Sequence, residues 1–503
     1  MKKICALLIL IILCGCTHDT ISPEPIHTLK VEIYDRGDVP EGAGTVTDNA
    51  VTNWICSEFG KKNNIDVQFV PIVRDSQNEL SVLISSGDAP DIFFSYSYDG
   101  MYNYFISGDT VDLSEYISSD SPLYDFIGEE LLELGKINDN QFIIPAKRLI
   151  KGRQAQLVRT DWLDRLGMQA PTNTDEFYAM LRAFQKYDPG NNGVNNIPYG
   201  VSANTSNFLD LIYSFMDTDF NERDMNCANH IDNPGYREGL RFMNKLFNEG
   251  LLSPYFEYDK DRKKVESDIA KGYVGFFCDD LGRPLQSGGV YEQLLQNLPE
   301  ARLEAVDTWT DSNGKHPKCI YSDAGIYIAV SSTCKYPEDA VRYLEWMCNP
   351  DVMRVLQYGF EGVNYKMDSD GIPRIISDDT SKLTHWYTIG FDTGIIVNGK
   401  YTTAKEKILA FNANATVDPQ LYMQCYKNSM RDGWTLREMI PSTLQITDST
   451  YRYMLKTEII SKCITCPTQT FDSEFDKIRN RLREVNVDNA TKDSYNNYDK
   501  MYK

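Results

Sequence analysis

Residues 91–100 read DIFFSYSYDG: a short apolar strand, then a polar and aromatic loop that ends in glycine. Apolar and polar residues alternate at residues 29–33 and 65–69, and a helical pattern precedes each later strand. The order β-α-β-α-β predicts right-handed crossovers and a parallel sheet. Ligands of such sheets bind beyond the carboxyl ends of the strands, so Tyr96 and Tyr98 are candidate ligand contacts.

The rest of the chain continues this α/β pattern. Apolar residues at helical spacing predict helices near residues 174–184, 236–250 and 337–349, and residues 326–330 predict a further strand. A chain of 503 residues is too long for a single hydrophobic core. We therefore expect two or more packed units.

The N-terminus has the pattern of a bacterial lipoprotein leader. A positively charged start precedes an apolar run that is too short to span a bilayer, and the run closes on LCGC at residues 13–16. This motif is typical of a lipobox, whose last cysteine carries the lipid. We expect residues 1–15 to be a signal peptide, Cys16 to be the lipid attachment site and residues 16–28 to be a tether. An ordinary cleaved signal and an anchor helix are the alternatives.

The net charge of −21 excludes some classes of partner. Nucleic-acid binding needs clustered lysine and arginine, so we expect none. The acidic balance also argues against an anionic ligand unless a local basic cleft overrides it. Among the 12 cysteines, Cys463 and Cys466 form the one tight pair, and no second pair or nearby histidine suggests zinc or redox chemistry. Their pairing stays open.

Six segments, in this order, resemble the extracellular solute-binding protein family 1. These proteins are the lipoprotein substrate-binding subunits of ABC importers, and the chain is most similar to the large oligosaccharide-type branch of Gram-positive bacteria. The segments are SGDAPDI (86–92), VRTDWLDRLG (158–167), PTNTDEFY (171–178), FNEGLLSP (247–254), YPEDA (336–340) and GFEGVNY (359–365), the last followed by Asp370-Gly371.

The resemblance implies a two-lobed, periplasmic-binding-protein-like clamshell of type II. Each lobe would be a mostly parallel sheet flanked by helices, and each would be discontinuous in sequence. The first lobe would hold residues 29–147 and about 322–380. The second would hold residues 148–321 and about 381–503.

The resemblance also implies a function. The protein would be a monomer that captures an extracellular solute, most simply an oligosaccharide or related carbohydrate, and delivers it to an ABC permease. It would meet the membrane through its lipid anchor only. The alternatives are a surface lipoprotein enzyme that degrades polysaccharide, or a peptide-binding receptor of the same fold. We expect no catalytic residues, because no serine-hydrolase, zinc-protease or phosphate-loop motif is present.

Candidate ligand contacts combine aromatic rings, which can stack on sugar faces, with charged groups that can hydrogen-bond to hydroxyls. Each of these residues could instead pack in the core or lie in a solvent-exposed turn. The candidates are Tyr96, Tyr98, Arg153, Asp279, Asp280, Trp309, Asp323, Glu361 and Tyr365.

Residues 188–198 resemble an Asp/Asn-rich calcium-type loop of the family. Asp188 would take its first position and Asn192 its fifth, but Gly190 stands where an oxygen ligand is expected and Tyr199 replaces the closing glutamate. Calcium prefers several hard oxygens, and this loop holds one carboxylate. We expect a turn that has lost the metal or binds it weakly, and no other cofactor.

Overall fold

The computed structural model describes residues 26–502, except for residues 38, 40–43, 74–76, 204–206, 217–220, 260, 287, 308, 370, 372, 377–392, 399–417, 441–459 and 485–486. The predicted signal peptide and Cys16 lie outside the described residues. The predicted tether ends at residue 28, whereas the first strand already begins at His27, because this residue pairs with Ile65.

The strands of the described residues are, in chain order, β1 (His27–Asp35), β2 (Ile65–Val73), β3 (Ile92–Ser95), β4 (Lys136–Ile137), β5 (Asn140–Gln141), β6 (Ile144–Arg148), β7 (Gln154–Arg159), β8 (Ile197–Gly200), β9 (Val274–Asp280), β10 (Leu303–Ala305), β11 (Lys318–Ile320), β12 (Ala324–Val330), β13 (Tyr365–Met367), β14 (Pro373–Ile375), β15 (Val397–Asn398) and β16 (Gly433–Thr435).

The α-helices of the described residues are α1 (Ala50–Ile55), α2 (Gln77–Ser86), α3 (Tyr98–Ile106), α4 (Pro122–Ile127), α5 (Glu129–Glu133), α6 (Thr160–Leu166), α7 (Thr174–Tyr187), α8 (Leu209–Tyr213), α9 (Glu222–Cys227), α10 (Pro234–Asn248), α11 (Lys263–Ala270), α12 (Val290–Asn297), α13 (Pro337–Met347), α14 (Pro350–Tyr358), α15 (Pro419–Met430), α16 (Ile460–Thr465), α17 (Phe471–Glu484) and α18 (Val487–Tyr502).

The first lobe is built on a six-stranded sheet of order β15-β6-β12-β3-β1-β2. Strand β1 lies between β2 and β3 and is parallel to both, with Val31 opposite Phe69 on one side and Ile92 on the other. The predicted β-α-β-α-β unit is therefore confirmed. The short central strand β3 is nearly all apolar and buried, whereas the edge strand β2 alternates between buried and exposed residues.

The second lobe is built on a four-stranded sheet of order β10-β7-β9-β8. Successive side chains of a strand point to opposite faces. Accordingly, Phe276 packs in the core formed with α7 and α10, while Phe277 packs in a second core formed with α11, α12 and α15. Each face of this sheet thus has its own helical layer.

In each sheet one strand is antiparallel to its neighbours. Each of these two strands directly follows a segment in which the chain crosses from one lobe to the other. Strand β7 follows the crossing at residues 149–153, and β12 follows the return at residues 321–323. A chain that enters a lobe at its hinge must run away from the hinge, whereas β6 and β9 end there. The carboxyl ends of the parallel strands consequently face the junction of the lobes.

The two crossings are hydrogen-bonded to each other. The amide of Tyr321 donates to the carbonyl of Lys151 at 2.8 Å, and the amide of Arg148 donates to the carbonyl of Asp323 at 2.7 Å. These bonds satisfy backbone groups that leave their own sheets, as buried polar groups require. The two crossing segments of the hinge are therefore held side by side by backbone hydrogen bonds.

The C-terminal boundary differs from the prediction, which assigned everything after about residue 381 to the second lobe. Val397 pairs in parallel with Lys147 of β6, and Ile395 and Ile396 lie in the core of the first lobe. This apolar segment pairs with the outer edge of β6. It buries its own side chains there and provides hydrogen-bond partners for the backbone groups of that edge. Met501 of α18 also packs against the first lobe's core.

Candidate ligand-binding crevice

A cavity of about 1240 Å³ lies where the two lobes meet. The first lobe contributes Tyr98 and Tyr102 of α3, the α4–β5 region and the end of β6. The opposite wall comes from the segment after β16 and from the last residues of α18, including Tyr502. The cavity therefore lies beyond the carboxyl end of β6, as the topology predicts for a ligand site.

The hinge side of the cavity carries two guanidinium groups on one tyrosine ring. The Arg148 guanidinium carbon lies 4.2 Å from the centroid of the Tyr321 ring, and that of Arg153 lies 5.1 Å from it. The Arg148 Nε also donates to the carbonyl of Ala324 at 3.2 Å. Stacking and this hydrogen bond together fix the plane of the Arg148 side chain.

A partly buried carboxyl group connects the lobes beside these arginines. Glu438 accepts hydrogen bonds from Ser322 Oγ at 2.5 Å and from the hydroxyl of Tyr327. Burial raises the pKa of Glu438 above its ordinary value, and the two hydrogen bonds act in the opposite direction. The Tyr502 hydroxyl donates to the Glu438 carbonyl at 2.8 Å, which holds the end of α18 at the cavity.

Four predicted ligand contacts lie in or near this region. Tyr98 and Asp323 line the cavity. The Tyr98 ring packs edge-on against Tyr327, 5.3 Å between centroids, and Asp323 forms a 2.7 Å ion pair with Lys151. Arg153 lies behind the cavity on Tyr321, and Tyr96 lies at the carboxyl end of β3, 5.9 Å from the Tyr34 ring.

Two predicted ligand contacts are instead core residues of the second lobe. Asp279 is fully buried and forms a 2.8 Å ion pair with Arg262, itself 3% exposed. Burial raises the pKa of Asp279, and the charge of Arg262 opposes this. Trp309 is buried between Phe177 and Phe276, with centroids 5.5 and 5.9 Å away. Asp279 is satisfied by its ion pair with Arg262, and Trp309 fills the space between Phe177 and Phe276. Both side chains therefore have structural roles.

The other three lie on the surface or in a separate hairpin. Asp280 is exposed and accepts a hydrogen bond from Gln154 Nε2 at 3.2 Å. Glu361 is exposed, and Tyr365 is buried in the β13–β14 hairpin beside Tyr358, 5.8 Å between centroids. None of these three lines the cavity between the lobes.

Several residues that line or border the cavity are not among the predicted ligand contacts. They are Tyr102, Lys147, Arg148, Tyr321, Glu438 and Tyr502. Tyr102 could have been found, since it follows Tyr98 by one helical turn on α3. The clustered cations of the first crossing were a second available signal.

The Asp/Asn-rich loop is a hydrogen-bonded turn. Asp188 ends α7 in a left-handed conformation, and its two carboxylate oxygens accept from the amides of Asn192 at 2.9 Å and Gly193 at 2.7 Å. The side-chain Nδ2 of Asn192 donates to the carbonyl of Gly272 at 3.0 Å. The loop offers one carboxylate, and both of its oxygens already accept hydrogen bonds from backbone amides. In the described part of the chain, no group of three or more His, Cys, Asp or Glu side chains is arranged so that it could hold a metal ion.

The model of the bacterial extracellular solute-binding protein family matches residues 43–354, more than half of the chain. The chain belongs to this family. The sequence-based assignment is thus confirmed, and members of the family are receptors that bind substrates.

Two relatives of this solute-binding protein come from Bacillus subtilis. Lipoprotein LipO is 24% identical over 324 residues, 61% of this chain and 62% of the relative, so the match spans less than two thirds of LipO. The polygalacturonan/rhamnogalacturonan-binding protein YtcQ is 21% identical over 418 residues, 78% of this chain and 79% of the relative.

The fold of this solute-binding protein is similar to that of the alginate-binding protein AlgQ2 in its calcium-free crystal structure. The TM-score is 0.68 at 16% identity, covering 95% of this chain and 98% of AlgQ2. This similarity confirms the two-lobed α/β clamshell. Within the described residues, no helix combines the length and apolar character needed to cross a membrane.

Proposed function

We propose that this protein is a lipid-anchored surface receptor that captures an extracellular oligosaccharide between its lobes and delivers it to an ABC permease. The observation that carries the proposal is the cavity of about 1240 Å³, lined by residues of both lobes. Pockets for drug-sized ligands measure roughly 300–1,000 Å³, so the space suits a longer molecule. The name of the relative YtcQ, which binds polygalacturonan, points in the same direction.

The cavity has the chemistry that oligosaccharide binding requires. Tyr102 and Tyr502 offer ring faces and hydroxyls, while Arg148 and Asp323 offer hydrogen-bonding groups for sugar hydroxyls. A ligand that touches both walls stabilises the closed arrangement of the lobes, because the open arrangement lacks one set of contacts. The permease would then distinguish loaded from empty receptor by shape.

A thermal-shift screen with parallel glycan and peptide libraries tests the ligand class. Because ligand binds the folded state, we expect a glycan to raise the unfolding temperature, with about 2.7 kcal/mol of stabilisation at 100 times Kd. Tyr102→Ala, at a half-buried position that lines the cavity, should lose the shift, whereas Tyr258→Ala, at an 81% exposed position outside the cavity, should keep it. Stabilisation by peptides alone would overturn the sugar assignment, and glycan turnover by the purified protein would establish an enzyme.

The membrane location is tested independently of the ligand. Cys16→Ser should release the protein into the medium and abolish labelling by a radioactive fatty acid. Retention of the variant at the membrane would contradict lipid anchoring. Stimulation of permease ATP hydrolysis by loaded, monomeric receptor, and less by empty receptor, would support the delivery step.

We further propose that the loop beginning at Asp188 works as a metal-free turn that holds α7 against the segment at Gly272. Its hydrogen bonds support this role, since they already occupy both carboxylate oxygens. Isothermal titration with Ca²⁺ should show no binding at this loop.

A further inference from the structure

Arg148 lines the cavity at the hinge; no carboxylate of the described residues forms an ion pair with it, and the nearby Glu438 carboxylate offsets part of its charge. Its Nε is used by the Ala324 carbonyl and its plane lies on the Tyr321 ring. Within the described part of the chain, no group accepts from its two terminal nitrogens and no carboxylate forms an ion pair with it. The fork of the guanidinium group is therefore oriented and available to the cavity.

The neighbouring side chain repeats this pattern. Lys147 also lines the cavity, and its Nζ lies 5.0 Å from the centroid of the Phe126 ring. It has no ion pair with a carboxylate of the described residues. Burial lowers the pKa of Lys147 and of Arg148, and at Arg148 the neighbouring Tyr321 and Glu438 oppose this shift.

Acidic groups are present around the cavity, but they are otherwise engaged or lie at its rim. Asp323 is paired with Lys151, and Glu438 hydrogen-bonds to Ser322 and Tyr327. The acidic side chains of the α5–β5 wall are exposed: Glu129, Glu130, Glu133 and Asp139. The cations thus lie deep, while the exposed carboxylates lie where water screens them.

We propose that the cavity selects oligosaccharides that carry carboxylates, such as uronic acid units, and that Arg148 holds one carboxylate through its two terminal nitrogens while Lys147 adds a second positive charge. This inference rests on the proposed function and names its substrate class. A planar guanidinium matches a carboxylate with two parallel hydrogen bonds, which a neutral hydroxyl group does not reproduce. Near Arg148 and Lys147 the local charge differs from the net charge of −21 of the whole chain.

The test compares each acidic oligosaccharide with its own carboxyl-reduced form, which has the same length and linkage without the charge. Tetramers from polygalacturonate, alginate and hyaluronate are titrated calorimetrically into the full chain. We expect at least one acidic tetramer to bind at least tenfold more tightly than its reduced form, with affinity falling as salt rises. Equal affinity of the two forms, or binding of neutral glycans alone, overturns the inference and leaves the receptor function standing.

Variants assign the effect to the cations. Arg148→Gln should remove the discrimination between acidic and reduced forms, and Arg148→Lys, which keeps the charge without the fork, should restore part of it. Lys263→Gln is the control, because Lys263 is an exposed lysine outside the cavity that is paired with Asp261. If Arg148→Gln fails to fold, Lys147→Gln serves instead. Full discrimination in a folded Arg148→Gln variant contradicts the assignment, and failure of every glycan to bind contradicts the receptor function itself.

Discussion

Glu438 accepts a hydrogen bond from the hydroxyl of Tyr327, so a carboxylate beyond the last strand of the second lobe touches the central sheet of the first. The same oxygen accepts from Ser322, which lies in the return crossing between the lobes. One side chain thus connects both lobes and the hinge. Its removal should weaken all three connections at once.

Glu438→Ala should lower the free energy of unfolding by about 1–3 kcal/mol, because it leaves the buried Tyr327 hydroxyl without its acceptor, while the Ser322 hydroxyl keeps the Ala324 carbonyl. Urea denaturation followed by tyrosine and tryptophan fluorescence measures the change. Glu130→Ala is the control, since Glu130 lines the cavity wall but is exposed. Equal effects of the two substitutions would contradict a connecting role for Glu438.

The buried pair Arg262–Asp279 should be a structural element and not a ligand contact. Arg262→Ala should destabilise the protein by about 3–5 kcal/mol, since it leaves the Asp279 charge buried alone. The double variant Arg262→Met with Asp279→Leu should recover most of this loss. Its glycan affinity, measured on folded protein by calorimetry, should equal that of the wild type. A specific loss of affinity in the double variant would return Asp279 to the binding site.

The fold was predictable from the sequence because its signals are local. The alternation around Val31 and the apolar strand at Ile92 are each visible within a few residues of sequence. Burial partners are not local. Arg262 lies on a different element from Asp279, so nothing near the aspartate shows that it is buried, and Glu438 is far in sequence from the hydroxyls it binds. Site residues that depend on such contacts could not be predicted.

The Asp188 loop should contribute to stability without metal. Asp188→Ala should cost about 1–2 kcal/mol through two lost hydrogen bonds to backbone amides, by the same amount in EDTA and in millimolar Ca²⁺. Thermal unfolding in both buffers measures it. Asn195→Ala, in the exposed one-turn helix that follows, is the control. A calcium-dependent rise of the unfolding temperature in the wild type, absent from Asp188→Ala, would establish a metal site.

The cysteines at residues 463 and 466 should both be free thiols, as are all nine cysteines of the described residues. Cys463 is fully buried, and burial raises its pKa to about 12. Iodoacetamide at pH 8 should therefore leave Cys463 unlabelled in native protein, because the thiolate is the reactive form. In denaturant without reductant, peptide mass spectrometry should find both cysteines alkylated. A cross-linked Cys463–Cys466 peptide would contradict this.

Asp210 should make the stability depend on pH. This carboxyl lies in α8 and is 7% exposed, and burial raises its pKa from an ordinary 3.8 to about 6, with the charge of Arg153 opposing the rise. The folded state therefore binds the Asp210 proton more tightly than the unfolded state. Its contribution to stability is fully present below about pH 3.8 and is lost as the pH rises through about 6.

The measurement compares the wild type with Asp210→Asn, which cannot titrate, by urea denaturation from pH 4 to pH 8. The difference in unfolding free energy, wild type minus variant, should fall with rising pH by about 3 kcal/mol, since each pKa unit corresponds to about 1.4 kcal/mol. Asp280→Asn, at an exposed position at the end of β9, should show a much smaller change. A difference that is constant with pH, or that rises, would mean that Asp210 stays ionised in the fold. Arg153 would then be its full ion-pair partner and would be less available to the hinge.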